Sequence, residues 1–147
     1  MTSNSEISLP QLREGNGTPE ITIRYGKVPE GLENVTHSGP SWQASSEQFL
    51  LYKEGIARYW AEGSGKVVID RAPGAKDSDV RIFLLGSVFG FLLHYRRILP
   101  LHASAIQTER GAVLFTGRSG SGKSTTLGAM VQRGYAMLAD DVSCIVL

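Results

Sequence analysis

The sequence predicts an α/β protein, with an α+β arrangement overall, and three observations carry this prediction. Short strand-like segments separated by glycine turns occupy the first half of the chain. A long apolar segment with helical end signals follows them. A glycine-rich loop then stands between an apolar strand and a helix-compatible segment, an order typical of a βαβ unit with parallel strands over residues 112–139.

The composition is that of a soluble globular protein. Apolar residues make up 41% and charged residues 20% of the 147 residues, a balance that suits an ordinary packed core. The net charge of +1 provides no bulk field for nucleic acid or an anionic membrane, so neither partner is expected. The single cysteine, Cys144, excludes an internal disulfide and suits a reducing cytoplasm. We therefore expect a cytoplasmic protein in which Cys144 packs into the core.

The first twenty residues lack hydrophobic periodicity. Their Ser, Asn, Gly and Pro content predicts a mobile tail over residues 1–20, without the apolar segment of a secretory signal. Apolar and polar side chains then alternate over residues 21–25, which predicts a strand. Glycine and proline over residues 30–40 predict a loop.

Three further strands are predicted at residues 49–52, 56–60 and 66–70. Their aromatic and β-branched residues, with short glycine turns between them, predict an antiparallel meander region over residues 21–76. The aromatic residues of this region that are candidates for stacking on nucleobases are Trp42, Tyr59 and Trp60. Because no basic stripe accompanies them, packing in the core is the favoured interpretation.

A long helix is predicted from about residue 79 to residue 98. Asp77 or Ser78 is the expected N-cap, and two arginines in the last turn suit the helix dipole. Apolar side chains surround most of its middle, so we expect burial on most faces. The twelve residues 82–93 are too few to cross a bilayer core, which needs about 20, so no membrane span is expected.

The glycine-rich loop fits the pattern G-x-x-x-x-G-K-[ST] at every defined position of residues 117–124. Such a loop, between a strand and a helix predicted over residues 125–133, turns backbone N–H groups toward the phosphates of a nucleoside triphosphate. Lys123 is expected to reach the β- and γ-phosphates, and Ser124 to hold Mg²⁺. The predicted nucleotide-binding residues are Gly117, Arg118, Ser119, Gly120, Ser121, Gly122, Lys123, Ser124 and Thr125.

Two aspartates follow the strand predicted at residues 135–139. The carboxyl end of a parallel strand beside the loop strand is where ligand crevices form in open α/β sheets, which favours a functional role for Asp140 and Asp141. Adjacent strand side chains point opposite ways, so one is expected to face the metal and the other the substrate. A solvated acidic turn is the alternative. His102, at the start of a strand predicted over residues 101–107, is either a member of the same crevice or an ordinary packed or exposed histidine.

Three segments together resemble the catalytic domain of HPr kinase/phosphorylase. They are residues 101–105, 117–125 and 133–141. The spacing of their histidine, lysine and first aspartate also agrees, and most P-loop proteins place the second acidic motif much further along the chain. The resemblance covers residues 101–147, while the preceding meander and helix are similar to the front half of HPr-kinase-like proteins of unassigned substrate.

The resemblance implies a serine kinase that acts on a protein or peptide with ATP and Mg²⁺, and a P-loop sheet akin to that of phosphoenolpyruvate carboxykinase. By the same analogy Asp140 is the catalytic base, His102 assists it, and Asp141 and Ser124 lie near the metal. The implied partner is a serine-bearing protein or peptide, and a homo-oligomer is allowed. A nucleotide-binding module without chemistry and a small-molecule kinase are the alternatives.

The chain also departs from the family's pattern. Thr125 stands where the family typically has glutamate, and Ala103 where it has glycine. The family's second signature, with a further acidic and a basic residue, has no counterpart within the sequence. A kinase-like core over residues 77–147 is therefore expected to be incomplete, with an open apolar edge at residues 144–147, self-association and little activity of its own.

Overall fold

The computed structural model describes residues 3–5, 7, 9 and 20–146, which form a mixed α/β structure with more strands than helices. The chain divides into two compact units, Met1–Arg96 and Arg97–Leu147. This boundary follows the long helix, whereas the sequence predicts a boundary before it, near residue 76. The helix belongs with the meander because its apolar side chains pack into the core of that sheet.

The described residues of the first unit form a seven-stranded sheet in the order β1-β2-β7-β6-β5-β4-β3. Its strands are β1 (Ser3–Ser5), β2 (Ile21–Tyr25), β3 (His37–Gly39), β4 (Trp42–Ala44), β5 (Gln48–Lys53), β6 (Ala57–Glu62) and β7 (Lys66–Arg71). Neighbouring strands from β3 to β7 are antiparallel, which confirms the predicted meander. Strand β2 pairs in parallel with both β1 and β7.

Two of these strands lie in segments that the sequence predicts as irregular. Strand β1 lies within the predicted mobile tail, and the rest of residues 1–19, apart from Ile7 and Leu9, lies outside the described residues. Strand β3 lies within the predicted loop at residues 30–40 and pairs with β4. Each is three residues long, too short for a period of two to be recognised, so that pairing with a neighbour decides its conformation.

A helical segment follows the meander. It consists of α1 (Asp77–Phe83), a π-helical turn (Leu84–Val88) and α2 (Phe89–Tyr95). Its N-cap is Lys76, which makes no side-chain capping bond, so the prediction of Asp77 or Ser78 is wrong. The helix also ends before the predicted residue 98, because Arg97 adopts the left-handed conformation with φ 61° and the chain enters a strand.

The helix is buried along one face, whereas its composition predicts burial on most faces. The side chains that it contributes to the core of the first unit include Val80, Leu84, Val88 and Leu92. On another face Ile82 is 65% exposed. The Tyr59 hydroxyl, from the sheet, donates a hydrogen bond of 3.1 Å to the carbonyl oxygen of Val80. Sheet packing therefore uses one stripe of an almost uniformly apolar helix.

By length and composition alone, Asp77–Tyr95 could cross a membrane, since it spans 19 residues with a mean hydropathy of 1.2. Core helices of soluble proteins meet the same two conditions. About 33% of this span is buried within the structure, including Val80 and Leu84, which belong to the core of the first unit.

The described part of the second unit has a three-stranded sheet, in the order β10-β9-β11, and a two-stranded ribbon of β8 and β12. Its elements are β8 (Ile98–Leu101), β9 (Ala103–Thr108), β10 (Gly111–Thr116), α3 (Lys123–Gln132), β11 (Ala136–Ala139) and β12 (Ser143–Val146). Strand β9 is antiparallel to both neighbours, so β10 and β11 run parallel to each other, as predicted. However, β9 lies between them, so β11 is not beside the loop strand.

Cys144 is exposed, and its predicted place in the core is wrong. It lies in β12, where alternation turns Ser143 inward and leaves Cys144 and Val146 outward. Few apolar residues are buried in the described part of the second unit, and two of them are alanines. They are Ala103, Ala105, Ile106 and Leu127. Several larger ones are exposed, among them Met137 and Leu138.

Candidate functional site

The ends of three strands meet at one edge of the second unit's sheet. Ala103, at the start of β9, pairs with Thr116 at the end of β10. Ala105 pairs with Ala139 at the end of β11. Because the central strand is antiparallel to its two neighbours, its start lies where both neighbours end.

This topology brings together the segments that the sequence predicts as functional. His102 directly precedes β9, residues 117–122 follow β10, and Asp140 and Asp141 follow β11. All of them therefore lie at the same edge of the sheet.

Glycines determine the path of the loop between β10 and α3. At Gly117, with φ 156°, an added Cβ would lie 2.7 Å from the Ser121 Oγ, so the Ser121 side chain would have to move to admit one. Gly122 is the N-cap of α3 and has φ 88°, a conformation that favours glycine. The first turn of α3 leaves N–H groups without intrahelical acceptors, at the positive end of the helix dipole. The loop therefore ends in a cluster of backbone donors.

Lys123, the first residue of α3, folds its ammonium group over the loop. Its Nζ donates to the carbonyl oxygens of Gly117 at 3.0 Å and Arg118 at 3.1 Å. The residue is only 8% exposed, and burying a charge costs free energy unless partners compensate for the lost water. A positive charge is thus held within the loop, beside the donors of the helix N-terminus.

One oxygen of the Asp140 carboxylate accepts three hydrogen bonds. Oδ1 lies 2.6 Å from the Ser104 Oγ, 3.1 Å from the Ser124 Oγ and 3.0 Å from the Asp141 backbone nitrogen. The bond from Ser104 contributes most to lowering the pKa of Asp140 below its usual value, while the smaller effect of burial acts in the opposite direction. Asp140 is therefore ionised near neutral pH and linked to the loop through Ser124.

His102 is oriented by a backbone carbonyl. Its Nδ1 lies 2.8 Å from the carbonyl oxygen of Asp141. Because a carbonyl can only accept, Nδ1 is the donor, and in the neutral ring Nε2 carries the free lone pair. Asp141 has φ 67°, in the left-handed region that aspartate adopts more readily than most residues other than glycine. The carbonyl that orients the imidazole thus belongs to a residue at a sharp turn of the backbone.

A cleft of about 270 Å³ lies among these groups. Its lining residues are His102, Ser119, Gly120, Gly122, Lys123, Ser124, Thr125 and Asp141. Asp140 does not line it, and is connected to it through its bond to Ser124. A larger cleft of about 440 Å³ in the first unit includes Trp42, Tyr52 and Arg58, but contains none of the residues predicted to bind nucleotide or metal or to act in catalysis. We therefore take the smaller cleft as the candidate site.

The residues at this cleft fit a nucleoside triphosphate with a divalent cation. Ser124 donates its hydroxyl proton to Asp140, which leaves oxygen lone pairs for a metal. Among the described residues no group of three or more His, Cys, Asp or Glu side chains forms a ready metal site. Mg²⁺ does not need one, because it usually combines one or two protein ligands with water and substrate phosphates.

Ser104 is the functional candidate that sequence reasoning does not single out. Its spacing from His102 was the available signal, because residues two apart at the start of a strand share a face. A bulge between Met137 and Ala139 shifts the register so that Asp140 follows a residue paired with Ala105. Without this shift Asp140 would lie opposite Ala103, and no periodicity in the sequence predicts the bulge.

Comparisons of this chain with protein-family models, with curated proteins and with solved structures found no match. The resemblance to HPr kinase/phosphorylase consequently rests on the motif residues alone. The geometry of the cleft is the independent support for a function.

Proposed function

We propose that the protein is an ATP-dependent serine kinase of the HPr-kinase-like type, which phosphorylates a protein or peptide and uses Mg²⁺. The observation that carries the proposal is a convergence at one cleft. The Lys123 ammonium group, the Ser124 hydroxyl linked to a carboxylate, and the His102 imidazole all meet there. Phosphate positioning, metal ligands and a proton acceptor are what phosphoryl transfer requires of a protein.

Nucleotide binding is assigned to the loop and the start of α3. Backbone N–H groups of residues 117–125 and the Lys123 ammonium group would hold the phosphates. Lys123 now donates to two carbonyl oxygens, and a phosphate oxygen is a stronger acceptor because the hydrogen bond is then charge-assisted on both sides. If phosphate oxygens replaced these two carbonyl oxygens as acceptors, the positive charge of Lys123 would lie against the nucleotide.

The metal is assigned to Ser124, with the carboxylate of Asp140 or Asp141 nearby. The bond from Ser124 to Asp140 directs the hydroxyl proton away from a cation. Mg²⁺, when bound, supplies neutralisation of phosphate charge and polarisation of the phosphoryl oxygen. The resemblance assigns this role to Asp141, whereas the hydrogen bonds favour Asp140 as the partner of Ser124.

Proton acceptance from the substrate hydroxyl is assigned to His102. Its Nδ1 is engaged by Asp141, and Nε2 is the remaining basic nitrogen. The resemblance implies Asp140 as the base, but three hydrogen bonds to Oδ1 stabilise its charged form and make it a weaker base. We therefore assign Asp140 to holding the metal ligand Ser124, and His102 to proton acceptance at the cleft.

The serine acceptor follows from the resemblance alone. A nucleotide-binding module without chemistry is the second candidate, and one observation favours it. Because Asp140 does not line the cleft, the acidic pair there is reduced to Asp141. A small-molecule kinase would use the same loop and the same metal.

A transfer assay separates these functions. The full chain is incubated with γ-³²P-labelled ATP, Mg²⁺ and a soluble protein extract, followed by phosphoamino-acid analysis. Labelled phosphoserine that is absent with Lys123→Ala supports the proposal. Arg133→Ala, which removes a cation at the C-terminal end of α3, should retain the label. ATP binding without any transfer supports the nucleotide-binding module without chemistry. Label found only in small molecules supports a small-molecule kinase. A chain that binds no ATP contradicts all of them.

A further inference from the structure

We infer that Ser104 is a positioning residue, whose buried hydroxyl holds the Asp140 carboxylate so that the Ser124 oxygen is presented to a divalent cation. Ser104 is 0% exposed, and its hydroxyl donates to Asp140 at 2.6 Å. The inference rests on the proposed Mg²⁺–nucleotide site and assigns a role there to a residue outside the glycine-rich loop and the acidic pair.

The bond from Ser104 is the shortest of the three that reach Oδ1 of Asp140. Its length lies in the range of O–H···O⁻ bonds, which are roughly twice as strong as neutral ones. A buried hydroxyl that lost this acceptor would pay the cost of desolvation without compensation. Both the length of the bond and the burial of its donor therefore favour a persistent contact between Ser104 and the carboxylate.

The carboxylate depends on this contact for its orientation. Asp140 is exposed and follows the last residue of β11, so few side chains surround it. Its bond to Ser124 is the longest of the three, at 3.1 Å. With Oδ1 fixed from the buried side by Ser104, the Ser124 hydroxyl points its proton at Oδ1 and its lone pairs elsewhere. Mutation of a side chain that orients a metal ligand in this way typically lowers metal affinity by about 10–100-fold.

A second buried serine allows Ser104's positioning role to be separated from packing. Ser143 is 5% exposed and donates to the backbone carbonyl of Ala103 at 3.0 Å. Both serines are buried at the same end of β9, and both donate through the hydroxyl. Only Ser104 reaches Asp140, so Ser143 is its matched control.

The test is calorimetric titration of the full chain with ATP, once with Mg²⁺ and once with EDTA. In the parent protein Mg²⁺ should tighten ATP binding. Ser104→Ala should lose about tenfold or more of that gain, while its affinity for metal-free ATP stays unchanged. Ser104→Thr, which keeps the hydroxyl, should recover the gain, and Ser143→Ala should retain it. In a Ser124→Ala background Ser104→Ala should have no further effect, because both act through one contact.

Three results would overturn the inference. Ser104→Ala could keep the full Mg²⁺ gain, or it could weaken ATP binding equally with and without Mg²⁺. Ser143→Ala could reproduce the loss seen with Ser104→Ala, which would indicate packing alone. If the parent chain bound no ATP in either condition, the proposed function would fail and this inference with it.

Discussion

At the scale of the residue, one backbone contact orients the imidazole of His102. Its Nδ1 bond to the Asp141 carbonyl leaves Nε2 with the free lone pair in the neutral ring, and our proposal makes that nitrogen the proton acceptor. His102→Gln is therefore expected to keep ATP affinity and to lower the rate of phosphoryl transfer by about 10²–10⁴-fold. Binding is measured by calorimetry and transfer with labelled ATP. His94→Gln, which replaces an exposed histidine of the first unit, is the control. Parent-like turnover by the His102 variant would contradict the assignment.

Tyr59 gives a residue-scale prediction about pH. Burial, followed by the neighbouring Tyr25 and Asp79, raises the pKa of Tyr59 above its ordinary value. The fold therefore favours the neutral phenol. The stability this brings is complete below the unfolded-state pKa of about 10 and is lost as pH rises from there toward the folded-state pKa.

We accordingly expect Tyr59→Phe to lose less stability than the parent between about pH 8 and pH 11. Near neutral pH the variant should be about 0.5–1.5 kcal/mol less stable, because it lacks the hydrogen bond to Val80. Urea denaturation near neutral pH, at about pH 8 and at about pH 11 measures both effects. Tyr52→Phe, at a residue that is 50% exposed, is the control. Identical alkaline losses in the parent and Tyr59→Phe would refute the assignment.

At the scale of the element, the helix Asp77–Tyr95 is stabilised by one face rather than by its whole apolar surface. Leu84 is 0% exposed and Ile82 is 65% exposed, although both are large and apolar. Leu84→Ala is expected to cost about 2–5 kcal/mol, because it leaves a cavity in the core of the first unit. Ile82→Ala should change stability by less than about 0.5 kcal/mol. Urea denaturation of the two variants tests this, and equal losses would show that the other face is packed as well.

At the scale of the whole molecule, the two units differ in how much apolar material they bury. Ile21, Ile69, Leu51 and Leu92 are among many large core residues of the first unit. The described core of the second unit contains two alanines, Ile106 and Leu127. We expect the second unit to unfold at a lower urea concentration, because hydrophobic stabilisation follows the area buried.

Mg²⁺ and ATP should stabilise only the second unit, by about 2.7 kcal/mol at a ligand concentration of 100 times Kd. Hydrogen exchange followed by mass spectrometry along a urea series can resolve the peptides of each unit. We expect the midpoint for peptides of α3 and β11 to rise with ligand, and the midpoint for β5 to β7 to remain unchanged. A single transition that shifts as a whole would contradict this expectation.

The sequence by itself determined the elements whose signals are local. Alternation over Ile21–Tyr25, the glycine turns of the meander and the glycine-rich loop before α3 predict the observed elements within a few residues. Each depends on side chains or backbone conformations that lie within one strand, one turn or one helical turn. His102, the glycine-rich loop and the two aspartates are predicted as site residues from short motifs of the same local kind.

Tertiary structure decided what depends on pairing between distant residues. Short strands such as β3 exist because a neighbour supplies their hydrogen bonds, and Cys144 is exposed because of the register of its strand. The insertion of β9 between β10 and β11, with the bulge in β11, brings Ser104 and Asp140 together. A one-residue change in register would replace that contact without changing any local signal, so only the folded sheet could specify it.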